Sequence, residues 1–251
     1  MSPTAAFDRL LQGSRLIRES FPLILRAASG SSLLLLSGEE GTERHLLARL
    51  VHLLSPRSRY PFLGYDRSEA RAGFVRMLAG GPRQAGLIER AQGGTLFLDG
   101  IEELELREQV FLKTLIDRRS APGDSAPCRF ILGADRSLRR RAEEGEFYPG
   151  LYYSISGLEL PLSPLRQRKE DIIPLARFIL AGARSGRRTV LSLEAVPRLL
   201  DYDWPGNYRE LETVLRRAAE RGRGNRIRAE DLPERIRFAR YWSPSPATPA
   251  N

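Results

Sequence analysis

The chain is short of several things, and each shortage narrows what it can be. It has one cysteine, Cys128, in 251 residues. No internal disulfide can form, and a cytoplasmic, reducing setting is expected. No run of about 18 apolar residues occurs, so no membrane-crossing helix is expected. The opening stretch, MSPTAAFDRLLQGS, lacks the basic-then-apolar layout of a signal peptide. Lysine is almost missing. Lys113 and Lys169 are the only two, and arginine carries the rest of a net charge of +9. Such an excess suits nucleic acid or an acidic partner. It equally suits scattered, solvated arginines, since only 136–141 and 216–228 are dense. The two histidines, His45 and His52, lie on one predicted helix without acidic or cysteine neighbours, which makes a poor metal site.

What is present is ample apolar material, 41% of residues, enough for one large domain or two smaller ones. Residues 14–28 read as a helix that Pro22 should kink or split. SLLLLS at 32–37 reads as a buried parallel strand, followed by a loop and the helix HLLARLVHLL at 45–54. Further strands are predicted over 60–65, 96–98, 130–133 and 158–160, with a helix near 106–118. Strands alternating with helices predict a three-layer α/β domain on a parallel sheet. After Arg168 the pattern turns helical, at 169–183, 192–201, 207–221 and 230–239. The expected division is an extension at 1–12, an α/β core at 13–165, a helical lid at 166–240 and a Ser/Pro-rich disordered tail at 241–251.

Two places carry chemistry. Gly38-Glu39-Glu40-Gly41-Thr42-Glu43-Arg44-His45 lies between a strand and a helix, where backbone N–H groups and a helix N-terminus can face an anion. A working phosphate loop reads G-x-x-x-x-G-K-[ST]. Here Glu43 stands for the second glycine, Arg44 for the lysine and His45 for the Mg²⁺-holding hydroxyl. Glu43 is expected to disfavour a left-handed backbone and to repel phosphates by about 4 kcal/mol at ~4 Å and an effective dielectric near 20. Arg44 restores a cation of different shape. Weak nucleotide binding and a turn kept for folding alone both stand. The second place is Gly93-Gly94-Thr95-Leu96-Phe97-Leu98-Asp99-Gly100, a buried strand with one acid at its tip. A hydrolysing site needs a second acid there to orient water, and that position is Gly100. Glu102, Glu103 and Glu105 follow, but none is at the strand tip.

These motifs resemble the AAA+ domain of sigma-54-dependent transcription activators, the NtrC-type enhancer-binding proteins, from about Leu11 to Arg237. GGTLFLD (93–99) resembles that family's Walker B strand. Pro164-Leu165-Arg166-Gln167-Arg168-Lys169-Glu170-Asp171-Ile172 resembles its PLRxRxEDI segment. Trp204-Pro205-Gly206-Asn207-Tyr208-Arg209-Glu210-Leu211-Glu212 resembles its WPGNxRELE helix start. The resemblance implies an AAA+ P-loop core followed by a small all-helical lid. It implies a nucleotide site of Gly38, Glu39, Gly41, Thr42, Arg44, His45, Asp99 and Arg209, the last as sensor II. Arg209 could instead be a surface arginine paired with Glu210 or Glu212. The implied cofactor is ATP or ADP, weakly bound, with the place of Mg²⁺ open.

The departures from that pattern bear on function. The sigma-gripping GAFTGA loop is missing from the 65–93 stretch, so sigma-54 contact is not expected. In the arginine-finger segment Tyr148 and Ser154 occupy the two arginine places. Asp66 stands for the asparagine ending the second strand, and sensor I falls near Ala134 or Asp135. Neither a receiver domain nor a helix-turn-helix is expected, and DNA binding is not either. Losing a general base costs about 10²–10⁴-fold, and losing an arginine finger about 10³–10⁵-fold. The chain therefore reads as a pseudo-ATPase with no catalytic residues and no metal site, acting in transcriptional control. Its expected partner is another AAA+ activator, or itself, through the ring interface. A non-hydrolysing sensor of ATP, ADP or a cyclic dinucleotide, and a weak nucleic-acid binder, are the other classes. Tyr148, Tyr152 and Tyr153 mark either a partner surface or a helix packed on the sheet. Cys128 is expected to be a small buried residue.

Overall fold

The computed structural model describes residues 14–30, 33–66, 73–81, 84–120, 128–182, 189–222 and 225–239. The extension at 1–12 and the tail at 241–251 lie outside them. The chain forms two compact units, one of Ser20–Leu162 and one built mainly of Ser163 onward with the first 19 residues.

In chain order the elements up to 162 are α1 (Arg15–Ser29), β1 (Leu34–Gly38), α2 (Arg44–Leu53), β2 (Phe62–Asp66), α3 (Phe74–Ala79), β3 (Gly80–Gly81), β4 (Gln84–Ala85), α4 (Leu87–Arg90), β5 (Thr95–Asp99), α5 (Leu106–Ser120), β6 (Arg129–Ala134), α6 (Leu138–Glu143), α7 (Pro149–Ile155) and β7 (Glu159–Leu162). Five strands make one sheet in the order β2-β5-β6-β1-β7. All four neighbouring pairs are parallel. Helices cover both faces of such a sheet, so its central strands read as unbroken apolar runs. Leu34, Leu35 and Leu36 of β1, Leu96, Phe97 and Leu98 of β5, and Ile131 and Leu132 of β6 are all 1% exposed or less. Each such side chain contributes about 1.5–3 kcal/mol of burial. Cys128 joins this core, fully buried.

Pro22 does not split the first helix. α1 runs from Arg15 to Ser29 with Pro22 inside. Ile24 and Ala27 on it are wholly buried, and that burial outweighs one missing backbone hydrogen bond. The Ala27 carbonyl is also held by the fully buried Arg129 guanidinium.

In the second unit lie α8 (Ile172–Ala181), β8 (Val190–Leu191), α9 (Ala195–Asp201), α10 (Asn207–Arg221), β9 (Arg226–Ile227) and α11 (Glu234–Arg237). The helical character expected after Arg168 is found, with one addition: β8 and β9 pair in parallel. Two residues per strand are too few for a readable alternation. Asp171 is fully buried beside Arg168, 3.3 Å away, and its carboxylate accepts the N–H groups of Arg15 and Leu16. It thus satisfies donors at the N-terminus of α1 from 155 residues along the chain. Trp204 is fully buried and donates its indole N–H to the Leu199 carbonyl at 2.8 Å.

Candidate functional site

The carboxyl ends of β1, β5, β6 and β2 come together at one edge of the sheet. β1 ends at Gly38, and the chain turns through Gly41, whose φ of 74° is left-handed. The turn closes on itself: the Thr42 hydroxyl donates to the Glu39 carbonyl at 2.8 Å, and the Thr42 N–H reaches the same oxygen at 3.2 Å. Gly38 sits tightly beneath it, since a Cβ there would lie 2.8 Å from the Thr42 hydroxyl. Glu43 precedes α2 with φ −75° and ψ 26°. The left-handed backbone expected to penalise Glu43 is therefore not used there; Gly41 carries it. Glu43 is nonetheless buried, at 3% exposure.

Arg44 opens α2 and turns its side chain inward, only 7% exposed. Its Nε lies 3.0 Å from Oδ1 of Asp99 at the tip of β5. The contact is an ion pair by distance rather than a directed hydrogen bond, and Nη1 is buried with no hydrogen-bond partner. Asp99 is fixed from other sides as well. Its Oδ1 accepts the Gly100 N–H at 3.1 Å, and a Cβ on Gly133 of β6 would come within 2.1 Å of that oxygen. Asp66 at the end of β2 is in register with Asp99, so two acids end adjacent strands.

Gly100 has φ 74° and ψ 35° and starts a one-turn 3-10 helix, Ile101–Glu103. That turn buries Ile101 and puts Glu102 within the fields of Arg44 and Asp99. Burial pushes the Glu102 carboxyl up from its ordinary value. The Arg44 charge and backbone N–H groups, including that of Asp135, oppose the shift, and the Asp99 charge adds to it. Glu102 Oε2 is buried without a hydrogen-bond partner. The sequence pattern does not place this third acid. Its only signal was a glycine followed by Ile-Glu-Glu-Leu, with the two apolar residues facing inward.

The remaining expected positions are more ordinary. His45 is exposed, and its ring meets Phe62 and Phe97 edge-on, with centroids 5.5 and 5.9 Å apart. His52 is buried, with Nδ1 3.0 Å from the Thr95 hydroxyl, and burial lowers its basicity. Asp135 accepts the Ser137 N–H at 2.8 Å, and Ala134 is fully buried. Tyr148 and Tyr152 pack partly against the core, while Tyr153 is 75% exposed. Ser154 donates its hydroxyl to the Gly150 carbonyl, one turn back on its own helix. In the second unit Arg209 is exposed in the first turn of α10. Glu210 accepts from Gly206, Tyr202 and Arg235, and Glu212 accepts from Arg216.

These residues do not fit a divalent cation. Asp99 is engaged by Arg44, the hydroxyl position is a histidine packed on aromatic rings, and among the described residues no group of three or more His, Cys, Asp or Glu is set to hold a metal. They fit a phosphate in one respect, the buried Arg44 Nη1.

A parallel sheet in this order, with a glycine-bearing turn from β1 into α2 and an acid at the tip of β5, is the architecture of P-loop AAA+ domains. The chain belongs to the Sigma-54 interaction domain family, which residues 10–161 match, and residues 166–247 match the AAA+ ATPase lid domain. It is 32% identical over 231 residues to the Nif-specific regulatory protein of Enterobacter agglomerans, covering 85% of this chain and 45% of that one. It is 33% identical to the regulatory protein AtoC of Escherichia coli, covering 84% and 50%. The chain thus spans about half the length of the curated relatives it matches. NtrX from Brucella abortus, solved in complex with ATP, superposes with a TM-score of 0.72 over 92% of this chain and 57% of that one. At 24% identity that likeness establishes the fold.

Proposed function

We propose that the chain is a pseudo-ATPase of this family, a cytoplasmic regulatory protein in transcriptional control that works by binding rather than by turnover. The observation that carries the reading is the Arg44 to Asp99 ion pair. In a hydrolysing site the loop cation holds phosphates and the strand-tip acid holds the metal; here each holds the other. Gly100 supplies no water-orienting acid, and Tyr148 and Ser154 supply no trans-acting cation. A site lacking both the base and the finger loses about 10²–10⁴-fold by the first route and about 10³–10⁵-fold by the second, which brings an ordinary turnover of about 10 per second close to nothing.

The partner that fits is another AAA+ activator, or a second copy, at the ring interface. Placed in a ring, this subunit would fail to complete its neighbour's site and would inhibit it. Two measurements test the proposal. Phosphate release by the pure protein should equal that of a D99N variant. Added to a sigma-54 activator, the protein should co-purify with it and lower its ATPase rate. Turnover that depends on Asp99, or no association and no change in the partner's rate, would refute it. A non-hydrolysing nucleotide sensor is the second reading, favoured by the buried and unpartnered Arg44 Nη1.

A further inference from the structure

We infer that the Arg44 guanidinium replaces the divalent cation, so that this loop binds a nucleoside di- or triphosphate without metal. The inference rests on the site being non-hydrolysing, and it goes further by naming what the site still takes and on what terms. Two independent observations point to it. The strand-to-helix turn is intact, with Gly41 left-handed and the ten-residue α2 starting behind it. Its cation is more than nine-tenths buried, with Nη1 lacking any hydrogen-bond partner. A buried guanidinium N–H without an acceptor is costly, and a phosphate oxygen is the acceptor this place was shaped around.

The charges set the terms. Arg44 and Asp99 neutralise each other, and burial moves Glu102 toward its neutral form. A metal ion would have to displace Arg44 from Asp99 before reaching the acid. It would then sit beside a guanidinium with no hydroxyl ligand, since His45 lies against Phe62 and Phe97. Metal is therefore excluded by a cation already in place. Asp99 becomes a competitor of the ligand, because both claim Arg44. This inverts the sign of a substitution: where a metal is needed, removing the strand-tip acid weakens nucleotide binding, and here it strengthens it.

The test is calorimetric titration of the whole chain with ADP, in EDTA and in excess Mg²⁺. The dissociation constant should agree within about twofold between the two buffers. Asp99→Asn should tighten metal-free binding severalfold, and Arg44→Ala should weaken it about tenfold or more, the loss of a charge-assisted hydrogen bond. Circular dichroism and thermal melts establish that each variant is folded. Arg44→Lys preserves the charge and, as a point charge on a flexible stem, should release Asp99 and restore a Mg²⁺ effect of about threefold or more. Tenfold tightening of the wild type by Mg²⁺, weakening by Asp99→Asn, a metal-blind Arg44→Lys, or no ADP binding in either buffer would each overturn the inference. None of these results requires turnover. Metal-dependent binding without hydrolysis would remove this inference and leave the pseudo-ATPase reading standing, whereas Asp99-dependent hydrolysis would remove that reading.

Discussion

Removing Arg44 should destabilise the protein more than removing Asp99, although the two are partners in one ion pair. At 3.0 Å and an effective dielectric near 20 the gross attraction is about 5 kcal/mol, and desolvation offsets most of it. What decides stability is the charge left behind. Arg44→Met leaves the largely buried Asp99 carboxylate without this partner, with Asp66 in register on the next strand. Breaking a buried pair in this way costs about 3–5 kcal/mol. Asp99→Asn leaves a guanidinium whose field already acts on Glu102, so a second carboxylate takes over part of the role. Its cost should be about 1–3 kcal/mol. For a unit of this size 1 kcal/mol moves Tm by about 3–4 °C, so Arg44→Met should lower Tm by about 9–20 °C and Asp99→Asn by about 3–12 °C. The double variant Arg44→Met with Asp99→Asn removes both charges, and should lose much less than the sum of the two single variants. Thermal melts and urea titrations of the four proteins give the cycle. Equal losses for the two single variants, or a double variant whose loss is their sum within about 0.5 kcal/mol, would refute this account of the site.

Two further outcomes follow from the structure. Glu102→Gln should raise Tm at pH 7.5 by about 2–4 °C, and the gain should vanish near pH 4. The carboxyl is pushed up by burial, so its favourable contribution is complete below the ordinary glutamate value and is lost as pH rises through the raised one; a gain that persists or grows in acid contradicts this. Asn207→Ala should destabilise more than Asn207→Gly, the reverse of the usual helix ranking. Asn207 is buried at φ 49° and accepts the Leu165 N–H at 2.9 Å. Both variants lose that bond, worth about 1–2 kcal/mol, and only alanine adds left-handed strain of about 1–2 kcal/mol. Urea midpoints of the two variants decide the order.

The sheet was legible because parallel strands buried on both faces leave continuous apolar runs, and LLLL, TLFL and FIL are such runs. The ends of the elements were not. Arg44 belongs to α2, and Asp99 and Asp66 close their strands, because hydrogen-bond registers rather than hydropathy set those limits. Pro22 misleads because local chemistry disfavours it and burial of Ile24 and Ala27 decides otherwise. In the site, the resemblance puts Arg44 and Asp99 together, but the sequence gives no sign that they pair with each other, a contact between positions 55 apart. Glu43 suggested a backbone clash from an imported loop pattern, whereas its φ of −75° suits any residue. Glu102 lies three residues beyond the strand tip in sequence, which argues against a place in the site. A three-residue turn carries it back toward that tip, and no periodicity records such a turn.

Residues 44, 100 and 102 are linked, so that a change at one of them alters the others. Gly100 holds a left-handed backbone at the start of the turn that carries Glu102, whose Oε2 is buried. A glutamate at position 100 would have to adopt φ 74° at about 1–2 kcal/mol, or change the turn and withdraw Glu102. Either way it would add an acid next to Asp99, which already faces Asp66 across the strand pair. Arg44 is what makes this density of carboxylates tolerable, through its contact with Asp99 and its field on Glu102. Returning Arg44 to lysine alone would thin that compensation, because a point charge does not span two carboxylates as a guanidinium can. Residues 44, 100 and 102 thus form one electrostatic arrangement. In it Arg44 balances the charge of Asp99 and acts on that of Glu102 without an external cation.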